Sequence, residues 1–240
     1  MSERRIGTAG WSIPRAQAAA FGAEGTGLAR YAGVLRCVEI NSTFYRPHRA
    51  STFARWAEAV PEDFRFSLKA PKTITHEGSL APAPAEVRAF LEQIGHLGQK
   101  LGPILLQLPP RQQFDRATAQ AFLSEWRNRY PTGAIVLEPR HRTWFTAEAE
   151  AVLEELRIAR VAADPPLAPE ASQPAGDKAT VYYRLHGSPR VYYSSYTGER
   201  MEALAAEMKA HARESVVWCI FDNTASGAAM ENALGLIDLF

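Results

Sequence analysis

Short apolar runs alternate along this chain with longer segments in which apolar residues recur at helical spacing. The run Ile135-Val136-Leu137 has no helical period, which is typical of a strand buried on both faces. The second type of segment is illustrated by residues 87–97. Its apolar residues lie on one helical face: Val87, Phe90, Leu91, Ile94 and Leu97. This alternation predicts repeated strand–helix units around a parallel sheet.

The same pattern extends over the whole chain and predicts eight strands. They cover residues 6–9, 37–41, 64–69, 104–108, 135–137, 158–163, 181–186 and 216–221. The pair Gly102-Pro103 is interpreted as a break before the fourth strand. A loop at 165–178, rich in Pro, Ala and Gly, stands where the sixth helix of the repeat should be.

Eight strand–helix units in 240 residues favour closure into one barrel. A (β/α)8 barrel of the TIM type typically needs about 250 residues. The sequence therefore predicts a single TIM-like barrel domain over residues 1–240, with the sixth helix missing or replaced by a loop. An open, doubly wound sheet is the alternative.

Composition narrows the environment and the partners of the protein. The net charge is +1, so no overall field attracts nucleic acid or an anionic membrane. The sequence has no signal-peptide core and no apolar run near the ~20 residues of a membrane span. Cys37 and Cys219 lie in apolar runs on the second and eighth strands, so we expect reduced thiols without a disulfide. We expect a cytoplasmic protein that does not contact membranes; the sequence does not indicate its oligomeric state.

Splitting each strand by parity separates an apolar face from a polar one. Alternate strand residues point to opposite sides, so every second residue shares a face. Polar residues on one parity gather at the carboxyl ends of five strands: Glu39, Asn41, Lys69, Gln107, Glu138, Arg140, Arg184 and His186. Barrels of this type carry their chemistry at that end. An ion pair that fixes the strand end, between Glu138 and Arg140 or His141, is the alternative for Glu138.

Several segments together resemble the YecE-like family, the domain of unknown function numbered 72 (DUF72). They are residues 7–12, 38–45, 66–69, 75–76, 100–103, 107–110, 138–141, 144–145 and 183–187, and the most specific is Glu-Ile-Asn-Ser-Thr-Phe-Tyr. The resemblance covers nearly the whole chain and implies a TIM-like barrel, but it implies no activity. At Asp222 the family more often has Asn.

The first functional hypothesis is a metal-independent enzyme that performs acid/base chemistry on a small anionic substrate, phosphorylated or carboxylated. Glu39 and Glu138 would divide the acid and base work, with His186 as a third catalytic residue. No cofactor is expected. Substrate binding is assigned to seven polar residues: Asn41, Lys69, Gln107, Arg140, His141, Arg184 and Asn223.

An anion site is expected in the loops after the seventh and eighth strands. Gly187-Ser188 and the small residues of 223–227 would let an anion approach backbone N–H groups. Arg184 would supply a planar guanidinium and His186 a proton. In the alternative, Arg184 pairs with Glu138 or Asp222, and the glycines only form turns.

Two other functions remain open. A divalent metal held by Glu39, Glu138, His141, Asp164 and His186 would suit a hydrolase or phosphoesterase, although nearby cations would repel the metal. A binding barrel without catalysis is suggested by residues 184–196, which mix basic and aromatic side chains as single-strand nucleic-acid binders do. The near-zero net charge makes nucleic acid an unfavoured partner, and the tyrosines of this loop would equally cover the barrel mouth.

Overall fold

The computed structural model describes residues 3–240. Its strands, in chain order, are β1 Arg4–Ala9, β2 Cys37–Ile40, β3 Arg65–Lys69, β4 Leu101–Gln107, β5 Ile135–Glu138, β6 Ala159–Arg160, β7 Ala162–Asp164, β8 Ala175–Gly176, β9 Thr180–Leu185 and β10 Val216–Phe221. Its α-helices are α1 Gly27–Ala32, α2 Ser42–Tyr45, α3 Ala50–Glu58, α4 Pro84–Ile94, α5 Arg116–Arg129, α6 Ala147–Glu155, α7 Gly198–His211 and α8 Ala228–Ile237.

The strands form a nearly closed barrel surrounded by the helices. Pairing runs in the order β7-β9-β10-β1-β2-β3-β4-β5-β6-β8, and every pair except the antiparallel β6–β8 is parallel. β6 pairs with β5, β7 pairs with β9, and the single residue Val161 joins β6 to β7. Residues 159–164 therefore occupy the sixth position of a TIM-like barrel, and the predicted fold class is confirmed.

The sixth strand–helix unit departs from the repeat as the composition of residues 165–178 suggested. In place of an α-helix, this segment contains a short 3-10 turn at Pro169–Ser172 and the two-residue strand β8. A second expectation was wrong: Gly102 and Pro103 lie inside β4 and do not precede it. Any side chain at position 102 would meet the Trp218 ring of β10, 2.6 Å from an added Cβ, so glycine leaves room for that ring.

The barrel wall separates two apolar cores, of which strand parity predicted the outer one, under the helices. Between strands and helices lie side chains such as Val38, Phe66 and Leu137. Inside the barrel, toward its amino-terminal end, lies a smaller apolar layer: Cys37, Leu105, Val136, Ala159, Val161, Tyr182, Trp218 and Ile220. This layer fills the lower barrel and lies beneath the polar inward residues at the carboxyl ends of the strands.

The two cysteines lie on opposite sides of this wall. Cys37 belongs to the interior layer and Cys219 to the core under the helices. β1 separates their strands, because Gly7 pairs with Cys37 and Ile6 with Cys219. Both thiols are free and buried, which confirms the prediction that they form no disulfide.

No helix among residues 3–240 combines the length and apolar composition needed to cross a membrane.

Candidate functional site

Arg184 is the centre of the polar half of the barrel interior. It lies near the end of β9, with a side chain that is 1% exposed. Its Nη2 and Nε contact Glu39 at 2.8 and 3.1 Å, and its Nη1 donates to Glu138 Oε2 at 3.1 Å. Nη2 also lies 3.1 Å from Asp222 Oδ2. One guanidinium therefore binds three carboxylates, each supplied by a different strand position of the barrel.

Glu138 ends β5 and is surrounded by donors. Oε2 accepts hydrogen bonds from Gln107 Nε2 at 2.9 Å and from Arg184, and Oε1 lies 2.8 Å from His186 Nε2. Arg140 Nε lies 3.0 Å from Oε1, but it is not aligned to donate, so within residues 3–240 Nε forms no hydrogen bond. Burial acts to raise the pKa of Glu138, but Arg184, His186 and Arg140 outweigh it and hold that pKa well below its ordinary value.

His186 is held between two carboxylates. Its Nε2 lies 2.8 Å from Glu138 Oε1, and its Nδ1 lies 3.0 Å from Asp222 Oδ2. A neutral imidazole has one N–H, so only the doubly protonated ring donates to both carboxylates. In that form the 3.1 Å approach of Arg140 Nη2 to His186 Nε2 is not a hydrogen bond. The pKa of Asp222, which burial alone would raise, is lowered by Arg184 and His186.

Glu39 is fixed from below by Tyr182. The Tyr182 hydroxyl donates to Glu39 Oε2 at 2.8 Å and lies 2.8 Å from Ser67 Oγ. Burial, with Glu39 next in size, raises the pKa of Tyr182 well above its ordinary value, so the hydroxyl keeps its proton. Both oxygens of Glu39 are bonded and its side chain has no exposed surface. Glu39 is thus a fixed negative charge beneath Arg184.

Lys69, the last residue of β3, is not part of this set of ion pairs. It is 9% exposed, and among residues 3–240 no hydrogen bond or ion pair is formed by its ammonium group. Nζ lies 4.0 Å from the centre of the Phe44 ring. Thr43 Oγ1 positions that ring, because it donates to Lys69 O at 2.7 Å and ties α2 to the end of β3. Burial and Arg184 lower the pKa of Lys69 from 10.5 to about 8, against the opposite effect of nearby carboxylates.

The other predicted residues are only partly brought together. Asn41 Nδ2 reaches Asp222 Oδ1 at 3.4 Å, which places Asn41 at the site. The ionic network consists of Arg184, Glu39, Glu138, His186 and Asp222. His141 caps the 3-10 turn Arg142–Trp144 through Thr143, and within residues 3–240 it forms no hydrogen bond or ion pair with this network. Asn223 is fully buried and donates to Ser194 O and Asn232 Oδ1, so it holds the loop that follows β9.

The expected anion site is not supported at Arg184. All three nitrogens of its guanidinium already contact carboxylates, so the alternative in which Arg184 pairs with Glu138 or Asp222 describes the geometry better, with Glu39 added. Arg140 is more accessible: it lies beside Glu138, but its side chain is 22% exposed at the mouth. Within this site, the cations more open to a ligand than Arg184 are therefore Arg140 and Lys69.

Sequence reasoning does not assign Tyr182 to the site, and it names Asp222 only in the alternative in which Asp222 pairs with Arg184. Tyr182 shares the parity of Arg184 on β9, so the same alternation could have found it. Asp222 follows the end of β10 with the parity of Ile220, which lies inside the barrel. Strand parity therefore indicates an inward position for both residues. It does so less clearly than for the polar residues that cluster at the ends of the other strands.

A metal site is not formed by these carboxylates. Among residues 3–240, no group of three or more His, Cys, Asp or Glu side chains is arranged to hold a metal ion. The physical reason is that Glu39, Glu138 and Asp222 point at Arg184, which occupies the position between them. Asp164, proposed as a ligand in that alternative, instead pairs with Arg200 at 3.1 Å.

A nearly closed barrel of mainly parallel strands, surrounded by helices and carrying its polar network at the carboxyl ends, places this protein in the TIM-barrel class. Within that class, the family model described as "Protein of unknown function DUF72" matches residues 5–240. The chain belongs to the DUF72 family, which confirms the resemblance found in its motifs.

Known proteins agree with this assignment. UPF0759 protein YecE of Escherichia coli K12 is 36% identical over 104 residues, which are 43% of this chain and 37% of YecE. A crystal structure of a DUF72 family protein from Enterococcus faecalis V583 superposes with a TM-score of 0.83 at 24% identity, covering 98% of this chain and 94% of that one. A D-psicose 3-epimerase structure, determined in the presence of D-fructose, gives 0.56 at 10% identity over 100% and 96% of the two chains. The structural matches show a shared fold.

Proposed function

We propose that this protein is an enzyme that transfers protons on a small anionic substrate, carboxylated or phosphorylated, at the carboxyl-terminal mouth of the barrel. The observation that carries this proposal is the unpartnered Lys69 amine beside an ionic network in which every carboxylate is already paired. A general base or acid works best when its pKa is near the working pH. The pKa of about 8 for Lys69 meets that requirement.

The acid and base roles are distributed by accessibility. Glu39 and Glu138 have essentially no exposed surface and accept several hydrogen bonds each, which makes them fixed charges that orient Arg184 and His186. Lys69 reaches the mouth and exchanges the proton with the substrate. Lys69 and His186 form the proposed acid–base pair. His186, whose two ring nitrogens lie against carboxylates, is the second proton carrier of this pair.

The anionic group of the substrate is assigned to Arg140. Its side chain is 22% exposed, while its buried Nε faces Glu138 Oε1 at 3.0 Å, so the exposed part of the guanidinium is the part offered to the anion. Gln107, 9% exposed, lies on β4 between the strands that carry Lys69 and Arg140. A substrate of a few carbon atoms bound over Gln107 would place its anionic group at Arg140 and its reacting carbon at Lys69.

The test combines binding with proton exchange, using pyruvate and dihydroxyacetone phosphate as probes. We expect at least one probe to raise the melting temperature in a concentration-dependent manner, because a ligand stabilises the folded state that binds it. In D₂O, ¹H NMR should show loss of the signal of the C–H next to the carbonyl group. Lys69→Met should lower that exchange rate by at least about a hundredfold.

Matched variants separate the two roles. Arg140→Gln should abolish the thermal shift, whereas Arg142→Gln, at an exposed position two residues away, should retain it. Thermal shifts of equal size in wild type and Arg140→Gln would contradict the assignment of the anion to Arg140. Exchange that Lys69→Met leaves unchanged, or no effect of either probe, would refute the proposed function.

A further inference from the structure

The surroundings of Lys69 differ from those of the other partly buried lysine, Lys100. The Lys100 ammonium donates to Ala57 O at 2.5 Å and to Val60 O at 2.7 Å, and these bonds hold it in a structural role. Lys69 is also largely buried, but its ammonium group contacts the face of the Phe44 ring instead of hydrogen-bond acceptors. An amine that is buried without hydrogen-bond acceptors is destabilised as a cation and is favoured as a neutral nucleophile.

We infer that Lys69 is a nucleophile that forms an imine with an aldehyde or ketone carrying a carboxylate or phosphate group. This inference rests on the proposed function and narrows its substrate class to carbonyl compounds. It uses the same site, with the anionic group at Arg140. The geometry that supports it is the unpartnered amine of Lys69 at the end of β3, beside Gln107 at the end of the neighbouring strand β4, with Arg140 two residues after the next strand, β5.

The chemistry balances without any group that the site lacks. The nitrogen lone pair of the neutral Lys69 amine adds to the carbonyl carbon, and the C=O π electrons move to oxygen, which takes up a proton. The nitrogen releases one proton, the hydroxyl group takes up a second proton, and the C–O bond breaks to release water while the nitrogen lone pair forms the C=N bond. Loss of the remaining N–H proton gives the neutral imine, so the two protons released by nitrogen equal the two taken up by oxygen. Addition of water reverses the sequence and releases the carbonyl compound.

Two features of the site assist these steps. At pH 7 a pKa of about 8 leaves roughly a tenth of the Lys69 amine neutral, hundreds of times more than an ordinary lysine has. Asp222 is 8% exposed and lies 3.0 Å from His186 Nδ1 through its Oδ2. It therefore connects the buried His186 ring with the mouth, where the substrate would bind. The charges of Glu39, Glu138 and Asp222 act to raise the pKa of Lys69, and they would act in the same direction on a protonated imine nitrogen.

The experiment is reductive trapping. The full chain is incubated separately with pyruvate and with dihydroxyacetone phosphate, treated with sodium borohydride, and analysed by intact mass and peptide mapping. Hydride from borohydride adds to the C=N carbon and leaves a stable secondary amine. We expect one adduct per chain, located on Lys69 and absent when borohydride is omitted. The probe that reacts distinguishes a carboxylated from a phosphorylated substrate.

Variants keep the test decisive. Lys69→Arg and Lys69→Met should both lose the adduct, and two replacements guard against failure of either to fold. Lys72→Arg is the matched control, because Lys72 is 47% exposed and paired with Glu77; it should retain the adduct. Adducts spread over exposed lysines, or none on Lys69, would overturn the inference. If a probe still shifts the melting temperature and exchanges its proton without trapping, the proposed function stands and the imine alone fails.

Discussion

Arg184 and Lys69 are both basic residues on the inner wall of the barrel, but their surroundings are opposite. Arg184 is 1% exposed and touches three carboxylates, whereas Lys69 is 9% exposed and touches none. The difference shows that burial of a charge has two outcomes. A paired charge becomes a fixed part of the structure, and an unpaired one is left with a shifted pKa and the capacity to react.

The largest expected effect comes from removing Arg184. Arg184→Met would leave Glu39, Glu138 and Asp222 buried without their shared partner, and breaking a buried ion pair in this way costs about 3–5 kcal/mol. Urea unfolding followed by circular dichroism measures it. Arg140→Met is the control and should cost less than half as much, because Arg140 is partly exposed. Equal losses in the two variants would show that Arg184 is not the centre of the network.

Removing Lys69 should have the opposite sign. Lys69→Met deletes an unpaired buried amine, so the free energy of unfolding at pH 7 should rise by about 1–3 kcal/mol. The folded pKa of about 8 lies below the unfolded value of 10.5, so the unfolded state binds more protons between these values. Wild-type stability attributable to Lys69 therefore rises from pH 8 to 10.5, and the advantage of the variant should shrink over that window. A variant less stable than wild type at pH 7 would contradict this account.

The smallest effect is expected at Tyr182. Tyr182→Phe removes one hydrogen bond to Glu39, which keeps its contacts with Arg184, so the loss should be about 1–2 kcal/mol. Tyr183→Phe is a matched control on the opposite face of β9, where the hydroxyl forms no hydrogen bond within residues 3–240. Its effect should stay within about 0.5 kcal/mol. Similar losses in both variants would argue against a specific role for the Tyr182 hydroxyl.

The fold could be predicted from the sequence because its signal is local. Strand–helix alternation and strand parity are properties of neighbouring residues, and they placed Glu39, Lys69, Gln107, Glu138 and Arg184 on the inner face. Strand breaks were less predictable: Gly102 and Pro103 are typical of a turn, but β4 accommodates them, because close packing against Trp218 requires a glycine there.

The pairing within the site could not be predicted in the same way. Arg184 and Glu39 are 145 positions apart, and no local pattern indicates which carboxylates a guanidinium will meet in the barrel. The sequence therefore favours an anionic ligand at Arg184, whereas in the structure Glu39, Glu138 and Asp222 contact its guanidinium group. The isolation of Lys69 is equally non-local, since it depends on α2 placing the Phe44 ring where a partner could have been.

The central claim, that Lys69 is the reactive amine of an otherwise neutralised site, is tested most directly by NMR titration of the lysine side chains. Protein labelled with ¹³C in lysine would be titrated from pH 6 to 11, with the Lys69 signal assigned by its loss in Lys69→Met. We predict that the Lys69 signal titrates with a pKa near 8. Titration of Lys69 above pH 10 would contradict the account.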